Sequence, residues 1–345
     1  MITGITAQNI QSGFPVIALL SAANPYISVY PWTGTFGTKV ADPAAVPTHV
    51  STGGGIAFTP SGGHVAVAHG NTPYISVYPW TGMLGTRVAN PATLPASSGR
   101  GVAFTPSGGA YGGHIAVAHS TTPFISVYPW TGTFGTKVAN PATLPTGTGN
   151  DVAFTPSGDR IAVAHTTTPF ISVYPWTGTF GTKVANPATL PTGDAQGVAF
   201  TPSGDRIAVA HDITPYISVY PWTGTFGTKV ANPATLGISI ARRVTFTPSG
   251  DHIAVADAGT PYISVYPWTG TFGTRVADPA TPPAGSGNSV AFNPSGDTIG
   301  VAHSTSPWIS VYPWTGAFGT KVANPATPIS STGRGVTFKG NTGKF

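Results

Sequence analysis

The hexapeptide Ile-Ser-Val-Tyr-Pro-Trp recurs seven times, ending at Trp32, Trp80, Trp130, Trp176, Trp222, Trp268 and Trp314. The intervals between these residues are 48, 50, 46, 46, 46 and 46. A repeat of this length cannot bury its own apolar face, so each copy must stack on a neighbour. Residues 151–196 serve as the reference unit. Val152–Phe154 is a short β-prone run, and Thr155-Pro-Ser-Gly-Asp159 carries hairpin chemistry. Arg160–His165 and Phe170–Tyr174 alternate in side-chain size, as strands packed on both faces do, and Thr182–Ala185 forms a fourth run. Proline about every dozen residues leaves no room for an ordinary helix.

The pattern predicts an all-β, seven-bladed β-propeller with four antiparallel strands per blade, occupying residues 1–345 as a single domain. The first strand of the unit begins at Ile56, Val102, Val152, Val198, Val244, Val290 and Val336. A second-strand sequence, Pro15–Leu20, precedes the first of these, so the chain starts in mid-blade. Residues 335–338 are therefore expected to complete the blade that contains residues 15–41, closing the ring and removing its open edges.

Composition narrows the chemistry. The 45 Gly and 35 Pro fall at fixed turn positions, and only 7% of residues are charged, with a net charge of +5. That balance does not specify nucleic acid. There is no Cys, which excludes disulfides and thiolate metal sites. Met1–Gln8 lacks a basic region ahead of a long apolar core, so no secretory signal is expected. Pro15–Leu20 is too short to span a bilayer, so no membrane insertion is expected.

The run Val-Ala-Phe-Thr-Pro-Ser-Gly-Asp-Arg-Ile-Ala-Val-Ala, followed by Ile-Ser-Val-Tyr, resembles the WD40 family over nearly the whole chain. That resemblance implies the propeller fold. It departs at the family's marks: no Gly-His pair precedes the first strand, no Trp-Asp ends the third, and Thr-Thr-Thr-Pro replaces the usual Asp turn. The near-identical, sparsely charged units also resemble in style repeat proteins of tailed phages and uncultured viruses.

Four sets of residues are candidates for function. The Tyr-Pro-Trp pairs could stack on sugars, but their presence in every unit suits packing between blades. Lys39, Arg87, Lys137, Lys183, Lys229, Arg275 and Lys321 share one position in the fourth run, where they would discourage edge pairing or contact an anionic surface. His69, His119, His165, His211 and His303 end the second strand, with Asp257 and Leu20 in the other units, and read as structural rather than metal-binding. Two residues before each first strand lie Gly54, Arg100, Asn150, Gln196, Arg242, Asn288 and Arg334, within the most variable connector. If the first strands line a central channel, the last six rim its mouth with long or forked donors, and three arginines favour an anionic ligand.

No nucleophile elbow, phosphate loop or zinc-protease motif is present, and the Asp box of sialidase-type propellers is absent. The expectation is a non-enzymatic structural or adhesive module, virion-associated or extracellular, decorating a capsid or tail. A multivalent carbohydrate-binding lectin is the alternative. Expected partners are other proteins or surface glycans, with no cofactor and no metal; a cellular location would be cytoplasmic.

Overall fold

The computed structural model describes residues 14–50, 54–107, 111–237 and 239–339. Met1–Gln8, read above for a leader, lies outside the described residues. All regular structure is β, arranged as seven separate three-stranded antiparallel sheets.

Each sheet is one blade with an inner, a middle and an outer strand. Blades II to VII take their inner strands from Ile56–Phe58, Gly99–Phe104, Gly149–Phe154, Ala195–Phe200, Ala241–Phe246 and Gly287–Phe292. Blade I joins the two parts of the chain: its middle strand, Val16–Ser21, pairs with Ile27–Pro31 on one side and Gly333–Lys339 on the other. The seven inner strands touch one another in an unbroken cycle and so surround a central channel.

Local chemistry explains each element. In blade IV the turn after the inner strand is tied by its own side chains. Thr155 Oγ1 accepts from the Arg160 amide at 3.1 Å and donates to Asp159 at 2.8 Å. Gly158 takes φ 70° there, a conformation that favours glycine. Middle strands are buried past their first residue because both their faces meet a neighbouring blade.

Seven apolar clusters lie between the blades. The one joining blades III and IV sets Ala116, Ala118, Ile125 and Val127 against Ile161, Val163, Tyr174 and Trp176. The cluster that sets Ile17, Leu19, Tyr30 and Trp32 against Ile309 and Val311 joins blade VII to blade I. Small alanines on one face and large side chains on the other let the blades approach closely. The seven Trp rings are between 0% and 8% exposed, Trp176 and Trp130 marking the extremes. Trp176 meets Phe180 edge-on at 5.0 Å and Phe154 at 6.0 Å, so its faces are spent on packing.

The tyrosines stitch the ring. Tyr174 Oη donates to Thr143 O of the preceding connector at 2.8 Å. Tyr30 does the same to Thr327 O at 2.8 Å, linking blade I to the end of blade VII.

The fourth run differs from expectation, because each sheet has three strands. Thr182–Ala185 lies beside the outer strand but shares few bonds with it: Gly181 N to Pro175 O at 2.9 Å and Val184 N to Val173 O at 2.8 Å. Pro175 has no N–H to return, so the ladder cannot propagate. Trp176 and Phe180 add one isolated bridge.

Candidate functional site: the arginine-lined channel mouth

The inner strands carry a repeated irregularity at one end. In blade IV, Ala164 faces Asp151 and His165 faces Gly149, which leaves Asn150 without an opposite residue. The same skip singles out Arg100, Gln196, Arg242, Asn288 and Arg334. All six candidate mouth residues are thus the extra residue of a β-bulge. A bulge bends its strand and re-aims the extra side chain. Gly54 holds the corresponding sequence position in blade II and contributes no side chain.

The six divide into two groups. Asn150 and Asn288 are only 5% and 8% exposed and serve as clips between blades. Asn150 Nδ2 donates to Ala195 O at 2.8 Å, and Asn288 Nδ2 donates to Gly333 O at 2.7 Å. Gln196 accepts on its backbone oxygen from Arg243 Nη1 at 2.5 Å. Arg100 Nη1 donates to Asn150 Oδ1 at 3.3 Å, so one clip also orients one arginine.

Arg100, Arg242 and Arg334 are half-buried, and the Nε of each is buried without a hydrogen-bond partner among the described residues. Burial pulls their guanidinium pKa values down. Arg243 adds like-charge repulsion at Arg100, and Arg242 does so at Arg334. They belong to blades III, VI and I, steps of three, two and two around a ring of seven. They therefore surround the channel axis rather than crowd one side.

Sequence reasoning missed the next position along. There Gly55, Gly101, Gly197 and Gly335 occupy four blades, and Asp151, Arg243 and Ser289 the other three. A Cβ on Gly197 would lie 3.0 Å from Arg243 Cα, so glycine lets the inner strands of blades V and VI approach closely. Across blade V, Arg243 Nη1 pairs with Asp151 Oδ2 at 3.3 Å. Asp151 Oδ2 also accepts from the Val198 amide at 3.1 Å, and Ser289 Oγ accepts from the Val336 amide at 3.3 Å. Burial pushes the Asp151 carboxyl above the usual carboxylate range, against the opposing pull of Arg243. The departure from glycine in otherwise matching units was the available signal.

The remaining candidates lie elsewhere. The basic residues of the fourth run do not converge: each sits on a separate blade, and all but Arg87 are shown held by the residue three positions on. Lys39 meets Asp42 at 2.5 Å, Lys321 meets Asn324 at 2.7 Å, and Lys137, Lys183 and Lys229 hold Asn140, Asn186 and Asn232. Arg275 binds Asp278, and Arg87 occupies the same run in blade II.

The histidines are fully buried, and His119 Nε2 lies 3.0 Å from Ser126 Oγ, a pairing repeated at His69, His165, His211 and His303. The equivalent residue of blade I is Ser21 rather than Leu20, because Ser21 is the residue that faces the inner strand beyond the bulge. No group of three or more potential ligands for a metal ion occurs among the described residues. At the far end of the inner strands, a cavity of about 340 Å³ is lined by Phe154, Phe200, Phe246, Phe292 and several prolines.

No protein-family profile matches the chain, and no curated protein sequence matches it. Solved structures do. A candidate 6-phosphogluconolactonase from Bacteroides uniformis aligns with TM-score 0.71 and 14% identity, covering 95% of this chain and 100% of that one. The periplasmic gluconolactonase of Pseudomonas aeruginosa aligns with TM-score 0.67 and 16% identity, covering 95% and 99%. The Cps50 (Swd1) β-propeller domain of Myceliophteria thermophila aligns with TM-score 0.57 and 12% identity, covering 79% and 88%.

At this identity the likeness establishes the propeller fold, with a WD40-type domain among the similar structures. It also corrects the functional expectation. The matches that span nearly the whole chain include proteins named as gluconolactonases, which overturns the reading as a non-enzymatic virion module with a lectin as its alternative. The buried Trp faces independently remove the stacking platforms that the lectin reading needed.

Proposed function

We propose that the chain hydrolyses a lactone of the sugar-acid type at the arginine-lined mouth, with Asp151 as general base. One observation carries this reading: the Asp151 carboxylate, set into the mouth on an inner strand, is paired with the Arg243 guanidinium at 3.3 Å. The names of the similar structures supply the substrate class.

In the proposed step a water attacks the lactone carbonyl carbon and gives its proton to Asp151. A guanidinium beside the carbonyl stabilises the oxyanion that develops. The ring C–O bond then breaks, the departing oxygen takes the proton from Asp151, and a hydroxy acid is released. Burial raises the Asp151 pKa above the usual carboxylate range, which makes its carboxylate a stronger base.

The test is proton release from glucono-δ-lactone and from its 6-phosphate, measured above the buffer rate. Asp151→Asn keeps an oxygen for the Val198 amide and should lower turnover roughly a hundredfold or more. Wild-type protein that releases no proton above the blank from either lactone would refute the proposal.

A further inference from the structure

Near-identical blades serve as controls for one another, and one groove departs from the rest. At the end of the strands opposite the mouth, the residue that opens a middle strand packs over the Trp of the next blade. His64 meets Trp130 edge-on at 5.3 Å, and His114 meets Trp176 at 5.1 Å. In blades IV and V that residue is an arginine tied to the Asp before it: Arg160 pairs with Asp159 at 2.8 Å, and Arg206 with Asp205 at 2.9 Å. Asp159 also accepts from Thr155 at 2.8 Å and from Ser157 at 2.5 Å. The groove that this charged pair shares with Trp222 is a cavity of about 250 Å³.

Between blades II and III the charges are missing. The turns of blades IV to VII end in Asp159, Asp205, Asp251 and Asp297, whereas Gly63 and Gly113 hold that place in blades II and III. The base of each turn is still tied in the same way. Thr59 Oγ1 accepts from the His64 amide at 3.0 Å, and Thr105 Oγ1 accepts from the His114 amide at 2.9 Å. Thr105 and His114 stand nine positions apart, however, where Thr59 and His64 stand five. The groove widens to a cavity of about 440 Å³ walled by Pro60, Phe104, Pro106 and Trp130, with no Asp, Lys or Arg among the described residues that line it. Trp130 is the most exposed of the seven repeat Trp residues, at 8%. The His64 ring has no hydrogen-bond partner among the described residues. Burial holds His64 and His114 below their ordinary pKa, so both are neutral near pH 7.

We infer that the groove between blades II and III is a binding site for an uncharged aromatic molecule of one or two rings. A concave space of this size, with apolar walls and a few polar groups, is the usual form of a small-molecule site. An ion entering it would leave water and meet no counter-charge. A flat ring instead meets the Phe104 and Trp130 rings and the two prolines, and the unpartnered His64 ring offers a hydrogen bond to one polar edge. The arginine of other blades would fill this space: Arg160 Nη2 stands 3.4 Å from a Cβ built on Gly224, the counterpart of Gly132 in blade III. The site shares no residue with the Asp151 mouth and does not depend on the proposed hydrolysis.

The experiment titrates the full chain calorimetrically near neutral pH with indole, and with indole-3-acetate as its anionic counterpart. Indole should bind in a one-to-one ratio with a Kd of about 1 mM or tighter. Indole-3-acetate should bind roughly tenfold more weakly or less. The double variant Gly63→Asp/His64→Arg gives blade II the turn of blades IV and V. A Cβ on Gly63 would meet nothing nearer than Ser61 Oγ at 3.6 Å, so an aspartate fits there within reach of the Ser61 hydroxyl. The variant should melt no lower than the wild type, and its indole affinity should fall roughly tenfold or more, because the arginine occupies the ligand's space. His64→Arg alone is the second variant, expected to weaken binding in the same direction. Circular dichroism and melting temperature report whether each variant folds.

A titration with no saturable heat from indole would overturn the inference. So would indole binding that persists undiminished in the folded variants, which would place the ligand elsewhere, such as the phenylalanine-lined cavity at the same end of the channel. Indole-3-acetate that binds as tightly as indole would overturn the assignment to an uncharged ligand.

Discussion

Blade VI breaks the histidine pattern with Asp257, and that single exchange allows a quantitative test of the packing. Asp257 is 1% exposed, receives Ser264 Oγ at 3.1 Å, and leaves its Oδ1 without a partner among the described residues. Burial drives its pKa from 3.8 to about 6, with the Ser264 hydroxyl and Arg275 pulling the other way. The folded state thus holds a proton that the unfolded chain has already lost between pH 4 and 6. Ionised Asp257 therefore costs stability above pH 6, and the cost fades as pH falls toward 4. A shift of this size corresponds to about 3 kcal/mol at pH 8 and about half of that at pH 5. Asp257→Asn has nearly the same shape and no charge. It should raise the unfolding free energy by about 3 kcal/mol at pH 8, with the gain roughly halved at pH 5. Urea denaturation of both chains at the two pH values measures the difference directly. An equal gain at both values, or a loss at pH 8, would refute the account of Asp257 as a buried, poorly compensated charge.

The buried histidines make the opposite contribution. His69, His119, His211 and His303 are held by burial near pKa 4, down from 6.5, so the unfolded chain protonates first as pH falls. Each removes about 3 kcal/mol between pH 6.5 and 4, so the melting temperature should fall steeply across that window; a flat profile would contradict it. His119→Asn should blunt part of that fall. Asn288→Ala leaves the Gly333 carbonyl without its partner and should cost about 1–3 kcal/mol in chemical denaturation. Trp176→Ala empties a site with 0% exposure and should cost about 3–5 kcal/mol. Truncation after Ser331 strips blade I of Gly333–Lys339 and exposes the edge of Val16–Ser21, so the melting temperature should drop sharply.

The fold was legible because its signal is periodic. Seven copies of one hexapeptide specify blade number, and a second-strand sequence ahead of any first strand specifies how the chain's two parts share blade I. The fourth strand was over-read. Thr182–Ala185 has strand-like residues, but its neighbour ends in Pro175, and a missing donor on the partner strand is invisible from the run itself. The Leu20 assignment failed for a related reason. The bulge shifts the register by one residue, and only the pairing shows that Ser21 stands where other blades carry histidine.

The candidate positions were legible as a repeated place in the fold and illegible as a set of partners. Variation among near-identical units drew attention to Arg100, Asn150, Gln196, Arg242, Asn288 and Arg334, and all six are bulged residues at one mouth. Side-chain type could not separate their roles, since asparagine and arginine are both good donors. The separation comes from reach. Asn150 and Asn288 are short enough to end on the next blade's carbonyl at 2.8 and 2.7 Å, and that contact buries them. Arginine at the same bulge is longer: Arg100 reaches the side-chain oxygen of Asn150 at 3.3 Å, and all three arginines stay half-buried. Asp151 and Arg243 pair across blade V, where Gly197 lets the neighbouring inner strand of blade VI approach closely. In a ring of copies, side-chain length at one repeated position thus decides whether a blade is clipped to its neighbour through a backbone carbonyl, as at Asn150 and Asn288, or through a side chain, as at Arg100.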